Sequence, residues 1–291
     1  NSFNLKGEVF KIPFTFDLIS NLDLMSKEVE IDAKKLKLNI FNEFTKDPNG
    51  LTNGINIVTA LNLKIQTKYN VKKNITTFES EESKIKNSQI DYKGKLSLNP
   101  FDFRIDANID KYELSKLLST ESILIELIKT KLLFNENISA KISIVIRSHK
   151  NEEIFKSSKI NLNIINGRIN FDKTKLFNEK IGSLEINNSN LFSQDGKFIL
   201  NTGIFIDIQN SNNLFSFFQT PKKLRKPIKS IFINLDYDLL TNQININNLK
   251  FDGIESNEEM LGVIRELIDG SDYNLNKSRR IFNKLLLAYS G

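Results

Sequence analysis

Cysteine and tryptophan are both absent from the 291-residue chain, and histidine occurs once. Without a thiol there is no disulfide, no thiolate nucleophile and no cysteine-ligated zinc. Cysteine-free chains occur in every compartment, so this absence permits, without requiring, a bacterial periplasm in which stray thiols would be oxidised. The lone His149 stands in IRSHKNEE, a turn-like stretch. With no second histidine and no Gly-x-Ser-x-Gly elbow, neither a His-based nucleophilic triad nor a multi-histidine metal site can be assembled. Phosphate-binding loops are missing as well, because DGIESNEEMLG lacks both their spacing and their Lys-Ser/Thr ending. Enzyme chemistry is left with carboxylates or hydroxyls in no visible motif. The expectation is a non-enzyme with no cofactor and no metal. No window reaches about 18 uninterrupted apolar residues, and no basic then hydrophobic segment follows Asn1. A membrane anchor, if there is one, is expected outside these residues.

What is present is ordinary globular stock. Hydrophobic residues make up 40% and charged residues 26%, so the chain can bury a core and is not of disordered composition. The 41 basic residues exceed the 35 acidic ones by +6, and the pI is near 9.2, which suits an anionic partner. Most of these charges alternate with apolar residues and read as solvated faces. Twenty-two Phe without Trp read as core material rather than as base-stacking platforms, and nucleic acid is not expected as a partner.

Period-2 alternation dominates the chain and predicts strands. LNLKIQTKY (61–69) puts Leu61, Leu63, Ile65 and Tyr69 on one face and Lys64, Gln66 and Lys68 on the other. KISIVIR, KINLNI, KFILNTGIFIDIQ, SIFINLDYDLL and QININNLKF read the same way. In SIFINLDYDLL, Ile231, Ile233, Leu235, Tyr237 and Leu239 share a face, Asn234, Asp236 and Asp238 face away, and Phe232 breaks the pattern. Asn-Gly, Asp-Gly and Lys-Gly pairs predict hairpin turns between the runs. Helices are few: an amphipathic stretch over 114–134, then EEMLGVIRELIDG capped by Ser256 or Asn257, then one opening at Asn276.

KGEVFKIPFTFDL and KGKLSLNPFDFRI repeat one pattern, with Pro13 and Pro100 87 residues apart, and DGKFILNTGIFIDI repeats it loosely with Thr202 in place of proline. The repeat predicts a hairpin-like β unit, followed in its later copies by a helical run such as NNLFSFF. The fold expected is mainly β: a long twisted antiparallel sheet of repeated hairpin units curled into an apolar groove, with a few amphipathic helices, two of them C-terminal. Its divisions are 1–134, β repeat units ending in a helix; 135–253, a second β region; and 254–291, a helical cap.

The stretch 165–253, with NGRI, IGSLEI, DGKFIL, LFSFFQT and a final pair of long strands, resembles the C-terminal region of the AsmA-like family of bacterial envelope proteins, which is related in architecture to TamB and the bridge-like lipid transfer proteins. The matching features are patterns of hydrophobicity and turns, not catalytic signatures. The resemblance implies a periplasmic protein, anchored to the inner membrane through a segment outside this chain, whose β-groove carries phospholipid acyl chains between membranes for outer-membrane assembly and homeostasis. The partners implied are phospholipid, a membrane surface and other envelope proteins. The groove lining expected is Leu61, Leu63, Ile65, Ile204, Ile206, Ile208, Ile231, Ile233, Leu235, Ile244 and Ile246. In TPKKLRKPIK (220–229), Lys222, Lys223, Arg225, Lys226 and Lys229 read either as a contact for lipid phosphates or a membrane surface, or as a solvated turn.

Two readings stay open on the residues alone. Dry faces can fill against each other in an ordinary sandwich, leaving a structural or protein-interaction domain of the cell envelope. Alternatively one sheet curls into a trough that lipid fills. Asp106, Asn108 and Asp110 alternate like the opening of a calcium loop, but Lys111 and Leu117 occupy its glycine and glutamate positions, so they read as a polar strand face.

Overall fold

The computed structural model describes residues 1–9, 12–21, 25–34, 37–60, 63–112, 128–148, 154–241, 243–268 and 275–290. The chain is mainly β, with eighteen strands among the described residues. It divides into two compact units, Asn1–Tyr112 with Ser139–Val145, and Glu113–Ile138 with Ile146–Gly291.

The first unit is an antiparallel meander of β1 (Ser2–Val9), β2 (Ile12–Asn21), β3 (Ser26–Ala33), β4 (Leu38–Lys46), β5 (Thr52–Ala60), β6 (Leu63–Lys72), β7 (Ile75–Ile85), β8 (Ser88–Leu98) and β9 (Phe101–Asp110), each paired with the next. Strand β10 (Ser139–Arg147), of which Ser139–Val145 belongs here, pairs with β9. Short turns such as Lys73–Asn74 and Lys86–Asn87 keep the strands in register, so alternation in each strand adds up across the sheet. One row runs Phe16, Ile31, Ile40, Val58, Ile65, while Thr15, Asp32, Asn39, Thr59, Lys64 and Lys84 form a row on the opposite face. No α-helix is described in this unit, and of its described hydrophobic side chains only Ala33, Ile90 and Ala140 are buried.

The Lys-Gly pairs are not turns. Gly7 and Gly94 lie inside β1 and β8, and Gly54 lies inside β5, each directly opposite an aromatic residue: Phe14, Phe78 and Tyr69 respectively. A Cβ added at Gly7, Gly54 or Gly94 would meet the Cζ of that ring at 2.7, 2.4 and 2.3 Å. The glycine lets the ring lie down over the neighbouring backbone, which is why it recurs in these strands. The repeated KG…PF.F pattern is a hairpin in both copies. In the first copy Val9 pairs with Ile12, and in the second the turn falls between Leu98 and Phe101. The third copy departs from the expectation, because Asp195–Gly196 forms its turn and the strand then runs unbroken through Thr202.

The second unit contains β11 (Ser157–Ile165), β12 (Arg168–Asn170), β13 (Thr174–Asn178), β14 (Gly182–Gln194), β15 (Lys197–Ile208), β16 (Ser230–Asp238), β17 (Gln243–Phe251) and β18 (Ile254–Glu255), again antiparallel. Asn166–Gly167, Asp195–Gly196 and Asp252–Gly253 have positive φ at both residues, the primed turn that matches strand twist. Helix α1 (Ser211–Phe217) follows β15, and α2 (Glu258–Ile268) and α3 (Leu275–Ser290) close the chain. Asn210 caps α1 by accepting from the Asn213 amide at 3.0 Å, and Asn257, rather than Ser256, caps α2 by accepting from Met260 at 2.9 Å. Of the amphipathic stretch expected over 114–134, residues 114–127 lie outside the described residues, as does His149. Leu132–Phe134 form a short 3₁₀ turn, and Phe134 stacks on Phe198 at 5.9 Å.

The core of the second unit joins the apolar face of its sheet to the helices: Ile208, Ile231, Leu249 and Phe251 from strands, Leu214 and Phe215 from α1, Met260 from α2, and Leu286 and Ala288 from α3. The spacing of Ile281, Phe282, Leu285, Leu286 and Tyr289 gives α3 the stripe that covers this face.

Two glycine replacements check these packing statements in opposite directions. Gly94→Ala, whose Cβ would also approach the Arg104 carbonyl oxygen at 2.4 Å, is expected to cost about 1–3 kcal/mol in urea unfolding. Gly262→Ala, inside α2 with open space around it, is expected to stabilise by about 0.5–1 kcal/mol.

Candidate apolar binding site

Strands β14 to β17 form the floor of the site. Their register aligns Leu184, Ile206 and Ile231 in one row and Ile186, Ile204, Ile233 and Leu249 in the next. Simple alternation puts Leu249 and Phe251 out of phase with Ile244 and Ile246. The structure resolves this with a β-bulge: Asn234 pairs with Asn248 and Leu235 with Ile246, leaving Asn247 unpaired. Asn247 turns outward, where its amide donates to Asp236 Oδ2 at 3.0 Å and Asn234 Oδ1 at 3.3 Å. The extra residue re-phases the strand, so all four apolar side chains of β17 reach one face.

Over this floor the helices leave a space. Ile206, Ile208, Ile231, Ile233 and Ile246 line a cavity of about 270 Å³ from below, with Leu249 and Phe251 beside them. Leu214 of α1, Phe218 just after it, and Phe282 and Leu285 of α3 line it from above. The roof is fixed by ring stacking and by polar clamps behind it. Phe218 stacks on Phe282 at 4.2 Å, and Phe217 meets Phe218 edge-on at 5.2 Å. Asn283 donates to the Phe218 carbonyl at 3.2 Å and accepts from Thr220 Oγ1 at 2.7 Å, while Arg279 Nε donates to the Phe217 carbonyl at 3.1 Å.

The lining offers side-chain hydrogen-bonding groups at only two positions, Ser183 and Asp207. Such a space has little to hold water, which needs two to four polar partners. An engineered dry cavity of about 150 Å³ admits benzene, so this one is large enough for a length of hydrocarbon.

The residues expected to line a groove are distributed as follows. Ile206, Ile208, Ile231, Ile233 and Ile246 come together in the cavity. Ile204, Leu235 and Ile244 extend the same apolar face beyond it, paired with Ile233, Ile246 and Tyr237. Leu63 and Ile65 belong to the first unit, opposite Ala60 and Val58 on its apolar face, and Leu61 lies outside the described residues. Sequence reasoning missed Ile154, Phe155 and Ile181, which close the cavity at its side. They precede a strand or stand in a turn, where no periodicity marks a face.

The basic loop packs against the roof. Lys222, Lys223, Arg225, Lys226 and Lys229 are all exposed. Arg225 Nε donates to the Thr220 carbonyl at 3.0 Å, and Lys226 sits 4.6 Å over the Tyr289 ring, which stacks on the cavity residue Phe251 at 5.1 Å. Burial pushes the Tyr289 hydroxyl above the ordinary tyrosine value, with the Asp252 carboxylate adding to the shift. The hydroxyl therefore stays protonated at neutral pH and donates to Asp252 at 3.4 Å.

The two aspartates of β16 separate. Asp236 accepts from Asn201 at 2.6 Å, whereas Asp238 is buried and accepts from the Leu240 amide at 3.0 Å. Asp106, Asn108 and Asp110 are exposed on β9. Among the described residues no three His, Asp or Glu group together to hold a metal, and no helix is long and apolar enough to cross a membrane. No family model, no curated protein and no solved structure matches the chain.

The difference between a buried and a half-buried face is measurable. Ile208→Ala, under the helices, is expected to cost about 2–5 kcal/mol, and Ile65→Ala, half-buried in the first unit, less than half as much. Equal losses in denaturant titrations would mean that both faces are equally packed.

Proposed function

We propose that this chain handles lipid without catalysis, holding a phospholipid acyl chain in the cavity beneath α1 and α3. The observation that carries the reading is the near-absence of polar side chains from a cavity of about 270 Å³. Each CH₂ moved from water into such a space gains about 0.8 kcal/mol, so a chain segment is held by apolar area alone. The first unit supports the same reading: its apolar row Phe16, Ile31, Ile40, Val58 and Ile65 is only half-buried, and Phe3, Leu5, Leu98 and Phe101 are exposed, as at surfaces that take a partner. The AsmA-like resemblance agrees with it. On that basis the protein works in a bacterial periplasm, tethered to the inner membrane by a segment outside this chain, and serves phospholipid traffic to the outer membrane.

Native mass spectrometry of detergent-free protein, with organic extraction, tests the reading. Phospholipid is expected at a reproducible ratio, and Ile206→Asp, which places a charge in the floor, is expected to abolish it while the helical and strand circular dichroism persists. Because a buried charge can unfold a domain, Ile233→Phe provides a second variant that fills the cavity without charge; it is expected to lower bound lipid as well. A lipid-free wild-type monomer would instead favour the interaction-domain reading, in which these faces serve only as core.

A further inference from the structure

The net charge of the chain is not spread evenly. Residues 208–235 and 275–290 contain nine Lys and Arg and no Asp or Glu, which is more than the whole +6 excess. The fold brings these two segments together. Asn283 and Arg279 of α3 bond to the Phe217–Thr220 stretch, and Lys226 lies over Tyr289. Asp252 is tied to this region, accepting from the backbone amides of Lys229 and Ser230 at 2.7 and 2.8 Å and from Tyr289. On α3 the buried residues Ile281, Leu286 and Ala288 face the core, while Arg280 and Leu287 are exposed one heptad apart. Leu287 is 56% exposed. A cationic surface with an apolar side chain on the solvent side of an amphipathic helix is the pattern of an interfacial element, in which cations meet anionic headgroups and the apolar group enters the acyl boundary.

We propose that the loop 220–229 and the outer side of α3 dock on an anionic phospholipid bilayer, with Lys222, Lys223, Lys226 and Arg280 meeting the headgroups. The inference rests on the lipid reading, since it sets the roof of the apolar cavity against the membrane from which an acyl chain would come. The occupant is assigned by charge complementarity: Lys222, Lys223, Lys226 and Arg280 are exposed, segments 208–235 and 275–290 carry Lys and Arg without Asp or Glu, and Thr220–Asn283 and Arg279–Phe217 tie the loop to α3.

The test is co-flotation of the full chain with phosphatidylcholine vesicles, with and without one third phosphatidylglycerol. The wild type is expected to float with the anionic vesicles and not with the neutral ones, and to detach as salt rises from about 0.1 to 1 M, where screening shortens from about 10 to 3 Å. Each basic residue near such a surface is worth about fivefold in binding, so Lys222→Glu/Lys223→Glu/Arg280→Glu is expected to weaken it by about a hundredfold or more. These side chains are exposed, and unchanged thermal unfolding shows that the variant folds. The control Lys64→Glu/Lys68→Glu/Lys95→Glu changes the net charge equally on the polar face of the first unit and is expected to leave docking within about twofold of the wild type.

Equal flotation with neutral vesicles, equal loss in the control, or no flotation overturns the proposal. Tighter binding to a single-stranded oligonucleotide than to anionic vesicles, lost in the same triple variant, assigns the face to nucleic acid and overturns it too. The two readings fail separately. A chain that retains copurified lipid but does not float loses the docking face alone, and one that floats but carries no lipid loses the cavity.

Discussion

A strand that alternates apolar and polar residues has one dry face, and something must cover it. Everything in this protein follows from how that requirement is met. Across β2 to β6 the register is continuous, so the dry faces merge into one surface with rows such as Phe16, Ile31, Ile40, Val58 and Ile65. In the second unit the apolar face of the sheet lies under α1, α2 and α3, and its side chains pack with theirs into a core. The cavity exists because the helical cover bridges the sheet without filling it.

Local devices shape those faces. Three aromatic rings lie on glycines in β1, β5 and β8, flattening the apolar surface where upright rings would crowd. Bulges in β14 and β17 admit one extra residue each and keep the apolar side chains on the same side of the sheet. Asn188, in the β14 bulge, adopts a left-handed backbone that asparagine tolerates better than most residues. In β17 the cost of the unpaired residue is offset outside the sheet, where Asn247 bonds to Asp236 and Asn234.

Much of this was legible in the residues. Alternation located the strands, Asn-Gly and Asp-Gly located primed turns, and amphipathic spacing located the two C-terminal helices. The identity of the inward residues in β15 and β16 also follows from alternation alone. Three features did not follow. Lys-Gly looked like a turn because glycine marks turns and close ring approaches alike, and only the cross-strand partner distinguishes them. The third repeat looked like a hairpin because its composition matches the others, although the decisive turn lies at its start. The cavity was invisible because periodicity states which residues face inward and nothing about what stands opposite. Phe218 and Phe282 are 64 residues apart and meet only through the fold.

The most direct test of the central claim is photocrosslinking with a phosphatidylglycerol that carries a diazirine along one acyl chain, followed by peptide mapping. If the cavity holds the chain, labels concentrate on peptides containing Ile206, Ile208, Phe218 and Phe282, and they disappear when unlabelled lipid competes. Labels spread over exposed surface, or insensitive to competition, would show that the space beneath the helices is a packing void and that the lipid reading is wrong.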